Sequence, residues 1–403
     1  MSERGLVDYF EKFLTREPLF KNKSALQSAY CPEKIFHRED QLQAVANILA
    51  PCLRGEKPSN LFIYGKTGTG KTLTARYVSK QLQVIAEERE LLIKIIYLNC
   101  KLKKVADTEY RLIAQLAREL GTQIPPTGLP TDEVYNIFYR IVDKEKNIVI
   151  LILDEIDQLV SKAGDEMLYN LTRINSELKQ AQISIVGISN DLIFTENLDP
   201  RVKSSLSEEE LVFPPYNALQ IQNILQQRAK EAFKDGVIEQ GVIEKCAAYA
   251  AREHGDARRA LELLRVAGEL AERQNETKIM LSHLDKAEEK IEKDRVLEMV
   301  ITQPKQYQAT LYSIYLICEQ KKKLIFTGEV YELYKKICDK TNLRPLTQRR
   351  ISDIISEMDM LGIINAKVIS KGRYGRTREI SISTQEELNP KIKKILEEQL
   401  GFA

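Results

Sequence analysis

The chain has 403 residues, of which 43% are hydrophobic and 29% are charged, and its formal net charge is +2. This length favours two or three domains over a single core, and the composition excludes a largely disordered chain. No apolar run is long enough to cross a bilayer, no secretion signal is evident and the six cysteines are scattered, so we expect a cytoplasmic protein with reduced thiols and no membrane partner.

The first half of the chain alternates short apolar runs with amphipathic stretches. Four runs have the composition of buried strands, namely Asn60–Tyr64, Leu92–Leu98, Ile148–Leu153 and Ile183–Ser189. Helical patterns lie between them, for example over Thr72–Glu90 and Thr108–Leu120. Strands that alternate with helices predict a parallel sheet with helices on both faces, which we place at residues 1–213.

From about Pro214 the pattern becomes helical. Spacing over Asn217–Phe233, Glu239–His254 and Asp256–Gln274 predicts a small all-α domain at residues 214–300.

Residues 301–403 show a third pattern, in which three helices precede two β-like runs joined by a tight basic loop. The helices are expected at about Lys305–Lys321, Thr327–Thr341 and Thr347–Leu361, and the β-like runs at Ile363–Ile369 and Thr377–Ile382. Three helices followed by a β-hairpin are the plan of a winged helix, a relative of the helix-turn-helix.

Basic residues are concentrated in this last domain. From Ile301 onward there are 18 Lys and Arg against 12 Asp and Glu, a net charge of +6, whereas the first 300 residues carry −4. Such an asymmetry indicates a polyanion partner for the basic domain, although a merely solvated basic face has the same composition.

A phosphate-binding loop follows the first apolar run. The pattern G-x-x-x-x-G-K-[ST] is matched by Gly65, Lys66, Thr67, Gly68, Thr69, Gly70, Lys71 and Thr72. Its glycines let successive backbone N–H groups turn towards phosphates at the N-terminus of the next helix. Lys71 is expected to reach the β and γ phosphates of ATP, and the Thr72 hydroxyl to bind Mg²⁺.

Two acidic residues end the run Ile148–Leu153. Asp154 and Glu155 therefore stand at the carboxyl end of a predicted strand, where parallel sheets bind ligands. Asp154 is expected to hold Mg²⁺ and Glu155 to polarise the attacking water, which predicts an ATPase. An aspartate that caps the next helix is the alternative interpretation of Asp154.

Three more polar residues are candidates for this site. Asn190 follows the run Ile183–Ser189, where an amide would orient the lytic water. Arg201 is a candidate arginine finger, and Arg258, at the start of a helix of the all-α domain, would reach the γ-phosphate. Spacing alone does not distinguish these arginines from ordinary surface arginines.

The order of these motifs resembles that of the AAA+ ATPases. Further segments make the chain similar to the archaeal replication initiators related to origin-recognition-complex subunit one and cell-division-cycle protein six: Tyr30–Glu33, His37–Glu39, Asn99–Cys100, Thr127–Asp132, Asp199–Leu206 and Gly255–Leu261. The resemblance extends from about Tyr30 to Ser383. It implies an α/β AAA+ P-loop domain, an all-α lid domain and a C-terminal winged-helix domain.

The resemblance also implies roles for single residues around the nucleotide. Asn190 corresponds to sensor one, Arg258 to sensor two, and Arg201 to the finger that completes a neighbouring subunit's site. Contacts with the adenine nucleotide, ATP or ADP, are expected from Tyr30, Pro32, His37, Arg38 and Tyr216. Because the finger comes from a partner, hydrolysis is expected to be slow and ATP to act mainly as a switch.

A helical insertion at about residues 101–135 is expected to contact DNA, as it does in members of this family. The residues concerned are Thr127, Gly128 and Leu129. A turn that links two helices without touching DNA would have the same Pro/Gly-rich composition.

The partners implied by the resemblance are double-stranded origin DNA, other initiator subunits and the replicative helicase, the minichromosome maintenance complex. We therefore expect an ATP-dependent, nucleoid-associated archaeal initiator that binds origin DNA and helps recruit or load the helicase.

The third helix of the last domain has the sequence of a recognition helix. Ile351, Ile354, Ile355, Met358 and Leu361 fall at core spacing, which turns polar residues to the opposite face. The residues expected on DNA are Thr347, Gln348, Arg349, Arg350 and Ser352 in the helix, and Lys371, Gly372, Arg373, Tyr374, Arg376 and Arg378 in the wing. Asp353 does not suit this face unless its carboxylate pairs locally.

Two other functions remain open. A clamp-loader-like assembly factor would end in a purely helical collar, which disagrees with the β-like runs and the basic charge. A nucleotide-sensing transcription regulator is excluded less firmly.

Overall fold

The computed structural model divides the chain into two compact units, Met1–Leu284 and Asp285–Ala403. It describes all residues except 1–10, 12–16, 102–107, 126, 207, 254, 321–324, 371–375, 385–387 and 403, and it leaves out the side chains of residues 195, 197, 320, 370 and 376. The finer domain boundaries at residues 213 and 300 remain predictions. None of the helices in the described part of the chain combines the length and apolar character needed to cross a bilayer.

The first unit is built on a five-stranded parallel sheet. Its strands are β1 (Leu61–Tyr64), β2 (Ile93–Asn99), β3 (Ile148–Asp154), β4 (Gln182–Ser189) and β5 (Glu209–Val212). They lie in the order β2-β3-β4-β1-β5, so the four predicted strands are confirmed. The apolar pattern does not predict β5, because this edge strand has one neighbour and exposes its glutamates.

Helices cover both faces of this sheet, as predicted. Alternate residues of β3 from Ile148 to Ile152 pack with α1 (Glu39–Leu49) and α2 (Lys71–Glu88). The other residues, from Val149 to Leu153, pack in a second cluster. That cluster is formed with α3 (Glu109–Glu119), α4 (Thr131–Val142), α5 (Ile156–Ala163), α6 (Glu166–Arg173) and α7 (Pro200–Leu206).

The predicted insertion at residues 101–135 is part of this covering layer. Its helices α3 and α4 bury their apolar faces in the same cluster as the sheet, and α4 continues to Val142, past the predicted end. The physical reason is the strong amphipathicity of both helices, whose apolar stripes must be covered.

Three further helices of the first unit confirm the predicted all-α segment: α8 (Ala218–Ala232), α9 (Val242–Arg252) and α10 (Ala257–Gln274). The next helix, α11 (Leu281–Thr302), runs past the end of this unit. Asn217 and Gln220 form a capping box at the start of α8.

The second unit confirms the winged-helix plan. Its elements are α12 (Lys305–Gln320), β6 (Ile325–Phe326), α13 (Thr327–Lys340), α14 (Gln348–Met360), β7 (Ile364–Ser370), β8 (Arg376–Ile382) and α15 (Asn389–Leu400). The strands form an antiparallel sheet in the order β6-β8-β7. The sequence pattern does not predict β6 or α15. The expected core position of Leu361 is wrong: α14 ends at Met360, and Leu361 is 42% exposed.

One buried amide ties the edge strand to the centre of the parallel sheet. Asn60 is 2% exposed and immediately precedes β1. Its Nδ2 donates to the Ser205 carbonyl at 2.8 Å, and its Oδ1 accepts from the Ile185 N–H in β4 at 2.9 Å. Its own carbonyl accepts from the Glu209 N–H at the start of β5 at 3.0 Å. Asn60 therefore joins β1, β4 and β5.

Replacing Asn60 by alanine would leave the Ile185 N–H and the Ser205 carbonyl without these partners. Because an unsatisfied buried polar group costs about 1–3 kcal/mol, we expect Asn60→Ala to lower the free energy of unfolding in urea by about 2–4 kcal/mol. Asn47→Ala, which removes an exposed amide from α1, should change it by less than about 0.5 kcal/mol. Equal stability of the two variants would contradict the role of Asn60.

Candidate nucleotide site and nucleic-acid interface

The phosphate loop, Gly65–Thr72, connects β1 to α2, as the sequence predicts. Two of its glycines have left-handed backbone, with φ of 69° at Gly68 and 92° at Gly70. Neither position has room for a side chain. A Cβ on Gly68 would lie 1.7 Å from Asp256 Oδ1, and one on Gly70 would lie 2.7 Å from the Tyr216 hydroxyl. The loop is therefore packed closely against the chain that follows the sheet.

Lys71 is buried beneath this loop, with only 3% of its surface exposed. Its Nζ donates to the carbonyls of Gly65 and Lys66, both at 2.7 Å, and to Asn190 Oδ1 at 2.9 Å. Burial, assisted by the positive charge of Arg258, lowers the pKa of Lys71 to about 8. Two cations thus converge on the loop, and a bound phosphate would stabilise the charge on both.

Asp154 lies at the carboxyl end of β3, next to the first turn of α2. Its Oδ2 accepts from the Thr72 hydroxyl at 2.9 Å and from the Tyr97 hydroxyl at 2.6 Å, and its Oδ1 accepts from the Glu155 N–H at 3.0 Å. Thr72 and Asp154 thus bring together a hydroxyl and a carboxylate, the hard oxygen ligands that suit Mg²⁺ beside phosphates. These two residues fit the predicted metal site.

Tyr97 is a functional candidate that the motif analysis misses. It lies on β2, two residues before Asn99, which is paired with Asp154 in the sheet. Partial burial and the hydrogen bond to Asp154 raise the pKa of Tyr97, and the centre of its ring lies 3.9 Å from the Arg76 guanidinium carbon. A hydroxyl-bearing aromatic residue near the end of the strand beside Asp154 is the signal that sequence offers for it.

Glu155 and Asn190 lie next to the residues just described: Glu155 follows Asp154 in the chain, and Asn190 accepts a hydrogen bond from Lys71. Glu155 has left-handed backbone, with φ of 55°, and its carboxylate lies 3.6 Å from Lys101 Nζ. Asn190 contacts Lys71, and its N–H lies 3.4 Å from Asp157 Oδ1, which also accepts from the Ser189 hydroxyl at 2.9 Å. Asp157 therefore holds the end of β4, a role that the sequence motifs do not predict.

A cavity opens beside the phosphate loop, between the segment that precedes α1 and helices α8 and α10. Seven residues predicted to contact the nucleotide line it: Gly68, Gly70 and Thr72 of the loop, and Tyr30, Pro32, Tyr216 and Arg258 outside it. Apolar side chains such as Ile35 complete its wall. A cavity that combines apolar walls with polar side chains next to a phosphate loop suits a purine base and its ribose.

The described residues that line this cavity do not include His37 or Arg38. Arg38 is 2% exposed, and its Nε donates to the Thr69 carbonyl at 2.8 Å. Its guanidinium carbon also lies 3.8 Å from the centre of the Tyr216 ring. Arg38 therefore supports the loop from beneath instead of facing the base cavity, and the adenine contacts expected of both residues remain predictions.

The N-terminus of α10 is attached directly to the loop. Asp256 caps this helix by accepting from the Arg258 N–H at 2.8 Å, and its other carboxylate oxygen lies 3.3 Å from the Thr67 hydroxyl. The Ala257 N–H donates to the Gly68 carbonyl at 3.3 Å. These contacts place Arg258 at the edge of the cavity.

Arg201 is not part of this cavity. Its side chain is 69% exposed and forms a two-point ion pair with Asp199, with Nε–Oδ1 at 3.0 Å and Nη2–Oδ2 at 2.9 Å. An exposed guanidinium away from its own site is compatible with a role at a neighbour's site, which remains a prediction.

The second unit presents the predicted recognition helix. Thr347 caps α14, and the side chains of Gln348, Arg349 and Arg350 after it are exposed. The core side of the helix, from Ile351 to Met358, is buried as predicted. A groove beside the helix is lined by Gln348, Arg349, Ser352, Thr377 and Arg378.

Two charged residues of this face have local partners. Asp353 lies 3.9 Å from Arg350, so its carboxylate pairs within the helix. Arg378 of β8 donates to the Ser352 carbonyl at 2.9 Å and to the Ser356 hydroxyl, so it joins the wing to α14.

Five residues of the predicted DNA surface belong to the wing loop and the start of β8. Lys371, Gly372, Arg373 and Tyr374 lie outside the described residues, as does the side chain of Arg376.

The turn that precedes α4 is described except for residue 126. Thr127 and Gly128 are exposed there, whereas Leu129 is half-buried against the core cluster of the sheet. The proposed contacts of these three residues with DNA remain predictions.

Three family models match successive parts of the chain. They are the AAA domain over residues 54–192, the Cdc6 AAA+ ATPase-type lid domain over residues 222–289, and the CDC6 C-terminal winged helix domain over residues 298–389.

Curated relatives cover almost the whole sequence. The ORC1-type DNA replication protein 1 of Methanosarcina mazei is 53% identical over 391 residues, which are 96% of this chain and 94% of that protein. The ORC1-type DNA replication protein of Pyrococcus furiosus is 54% identical over 382 residues, 94% of this chain and 90% of that protein. The solved Aeropyrum pernix ORC1 protein in complex with DNA matches with a TM-score of 0.83 and 46% identity, over 95% of this chain and 98% of that one.

The close contact between Gly68 and Asp256 generates a test of the site. In Gly68→Ala the new Cβ would displace Asp256 and strain a left-handed residue, so the start of α10 should move off the loop. Strain of about 1–3 kcal/mol corresponds to a rise in the ADP dissociation constant of about 5- to 150-fold, measurable by calorimetry. Gly121→Ala is the control, because Gly121 also has positive φ but its Cβ would meet nothing within 4 Å. Unchanged affinity in Gly68→Ala would contradict the coupling.

Proposed function

Because the chain belongs to the family of ORC1-type DNA replication proteins, the archaeal initiators related to origin-recognition-complex subunit one and cell-division-cycle protein six, we propose that it binds duplex origin DNA under the control of ATP. The observation that carries this proposal is the direct contact between the phosphate loop and α10 through Gly68 and Asp256. A nucleotide bound at the loop would meet the lid helix as well as the sheet.

Membership in this family makes the chain an AAA+ ATPase, and the site supports a division of roles. Thr72 and Asp154 would hold a Mg²⁺ ion, which would neutralise charge on the phosphates. Lys71 would exchange the loop carbonyls and Asn190 for phosphate oxygens. Glu155 would accept a proton from the attacking water, once its carboxylate is released from Lys101.

Two features support slow hydrolysis in a single subunit. The Glu155 carboxylate is paired with Lys101, and Arg201 is exposed and bound to Asp199. A neighbouring subunit that presented its own Arg201 would add the positive charge that phosphoryl transfer requires. ATP would then act mainly as a switch whose lifetime depends on assembly.

DNA binding is proposed for the exposed face of α14. The related Aeropyrum pernix ORC1 protein was solved in complex with DNA. In this chain, Gln348 and Arg349 are exposed in the first turn of α14, where they can reach base edges in a major groove. The predicted wing residues, from Lys371 to Arg378, would add contacts with phosphates or the adjacent minor groove. Recruitment of the replicative helicase, and association with the nucleoid, extend this proposal.

A footprint on the intergenic DNA of the source genome tests the proposal as a whole. We expect protection confined to repeats in an AT-rich region and altered when ATP replaces ADP. Absence of protection with either nucleotide would contradict an origin-binding role. It would then favour an assembly factor that acts on protein partners.

The assignment of Glu155 predicts a separation of binding from hydrolysis. Glu155→Gln should retain ADP affinity but lower ATP turnover by about 100-fold or more, because general-base catalysis is lost. Lys71→Ala should instead abolish measurable nucleotide binding. Glu145→Gln, which removes an exposed carboxylate paired with Lys94, is the control and should change neither quantity. Wild-type turnover in Glu155→Gln would disprove its role as the base.

The assignment of Arg349 predicts a loss of sequence discrimination. Arg349→Ala should weaken binding to the protected repeat by about 5- to 100-fold, since one good base contact contributes about 1–3 kcal/mol. Binding to scrambled DNA should change much less. Lys394→Ala removes a cation from a side chain of α15 that is 78% exposed, and it serves as the control for net charge. An equal loss on both DNAs would reassign Arg349 to the phosphate backbone.

A further inference from the structure

Arg228 is a buried cation in the wall of the base cavity. It lies on α8, it is 6% exposed, and it lines the same cavity as Tyr30 and Tyr216. Its Nη2 donates to the Tyr30 carbonyl at 3.3 Å, and its guanidinium carbon lies 4.8 Å from the centre of the Tyr30 ring. Its Nη1 makes no hydrogen bond to any described residue.

A buried guanidinium with an unsatisfied donor is costly, so its position requires a reason. Burial lowers the pKa of Arg228, and the negative charge of Glu231 on the same helix only partly offsets this effect. The Glu231 carboxylate accepts a hydrogen bond from the Tyr30 hydroxyl at 2.8 Å. Arg228 thus lines the cavity and has one buried donor group that no described residue satisfies.

The electrostatic neighbours of Arg228 separate it from the phosphate end of the site. Arg258 acts on Lys71, below the phosphate loop. Arg228 instead interacts with Tyr30, Cys31 and Glu231, in the part of the cavity that lies before α1 and against α8. The phosphates have their own cations, so Arg228 is placed for the other end of a nucleotide.

We propose that Arg228 recognises the base of the bound adenine nucleotide, with Nη1 donating a hydrogen bond to a ring nitrogen of adenine. This inference rests on the proposed nucleotide site. Adenine has three ring nitrogens with lone pairs, N1, N3 and N7, and a guanidinium has only donors to offer them. The charge-assisted bond would satisfy Nη1 and fix the orientation of the base next to Tyr30.

A purely structural role for Arg228 makes different predictions. The bond from Nη2 to the Tyr30 carbonyl already joins α8 to the segment before α1, and a residue that only joined these elements would affect all nucleotides alike. Loss of one ring nitrogen from the ligand would then have the same effect with or without Arg228.

The experiment compares ADP with 1-deaza-, 3-deaza- and 7-deaza-ADP on the full chain by calorimetry. For the wild type we expect one analogue to bind about 10- to 100-fold more weakly than ADP, the range for a hydrogen bond to a charged group. Arg228→Met should weaken ADP binding by a similar factor and should bind that analogue as well as ADP. If Arg228→Met does not fold, Arg228→Leu, which also lacks a donor, is expected to show the same loss of discrimination.

Lys230→Met is the matched control, because it removes an exposed cation from the same helix and does not line the cavity. It should bind all four ligands as the wild type does. Equal binding of all analogues by the wild type would overturn the inference, and so would undiminished discrimination in the Arg228 variants. A wild type that binds no ADP at all would instead overturn the proposed nucleotide site.

Discussion

The burial of the Lys71 ammonium is the interaction on which the rest of the site depends. A charge that is removed from water must be compensated, and here two loop carbonyls and Asn190 surround it. The same contacts shape the loop and bring the end of β4 next to it. Because Arg258 adds a second positive charge nearby, the site is poised to accept an anion such as a phosphate group.

The parallel sheet explains why residues far apart in the chain meet at this lysine. Strands β1, β3 and β4 run in the same direction and end at one edge, so the phosphate loop, Asp154 and Asn190 converge there. Asp256 joins the lid helix to the same edge through the loop. The phosphate loop and the lid helix are therefore two elements joined by a few hydrogen bonds at the proposed nucleotide site.

The second unit presents a basic face, the kind of surface that suits a polyanion. One side of α14 packs into the core of this unit, and this leaves Gln348, Arg349 and Arg350 exposed on the first turn. Arg378 is drawn back to the helix by Ser352 and Ser356, so this cation orients the wing strand through contacts within the protein. A count of basic residues does not distinguish an exposed arginine such as Arg349 from one that, like Arg378, bonds within the protein.

The sequence by itself determined the phosphate loop, the acidic pair after β3, the order of helices and buried strands and the family, because these depend on local patterns of apolar, glycine and charged residues. It did not determine β5, the support that Arg38 gives to the loop, or the placement of Tyr97, Asp157 and Arg228 around the site. Only the tertiary structure decided these, because each depends on contacts between residues distant in the chain. Burial and hydrogen bonding there are properties of the packed site, and no local pattern encodes them.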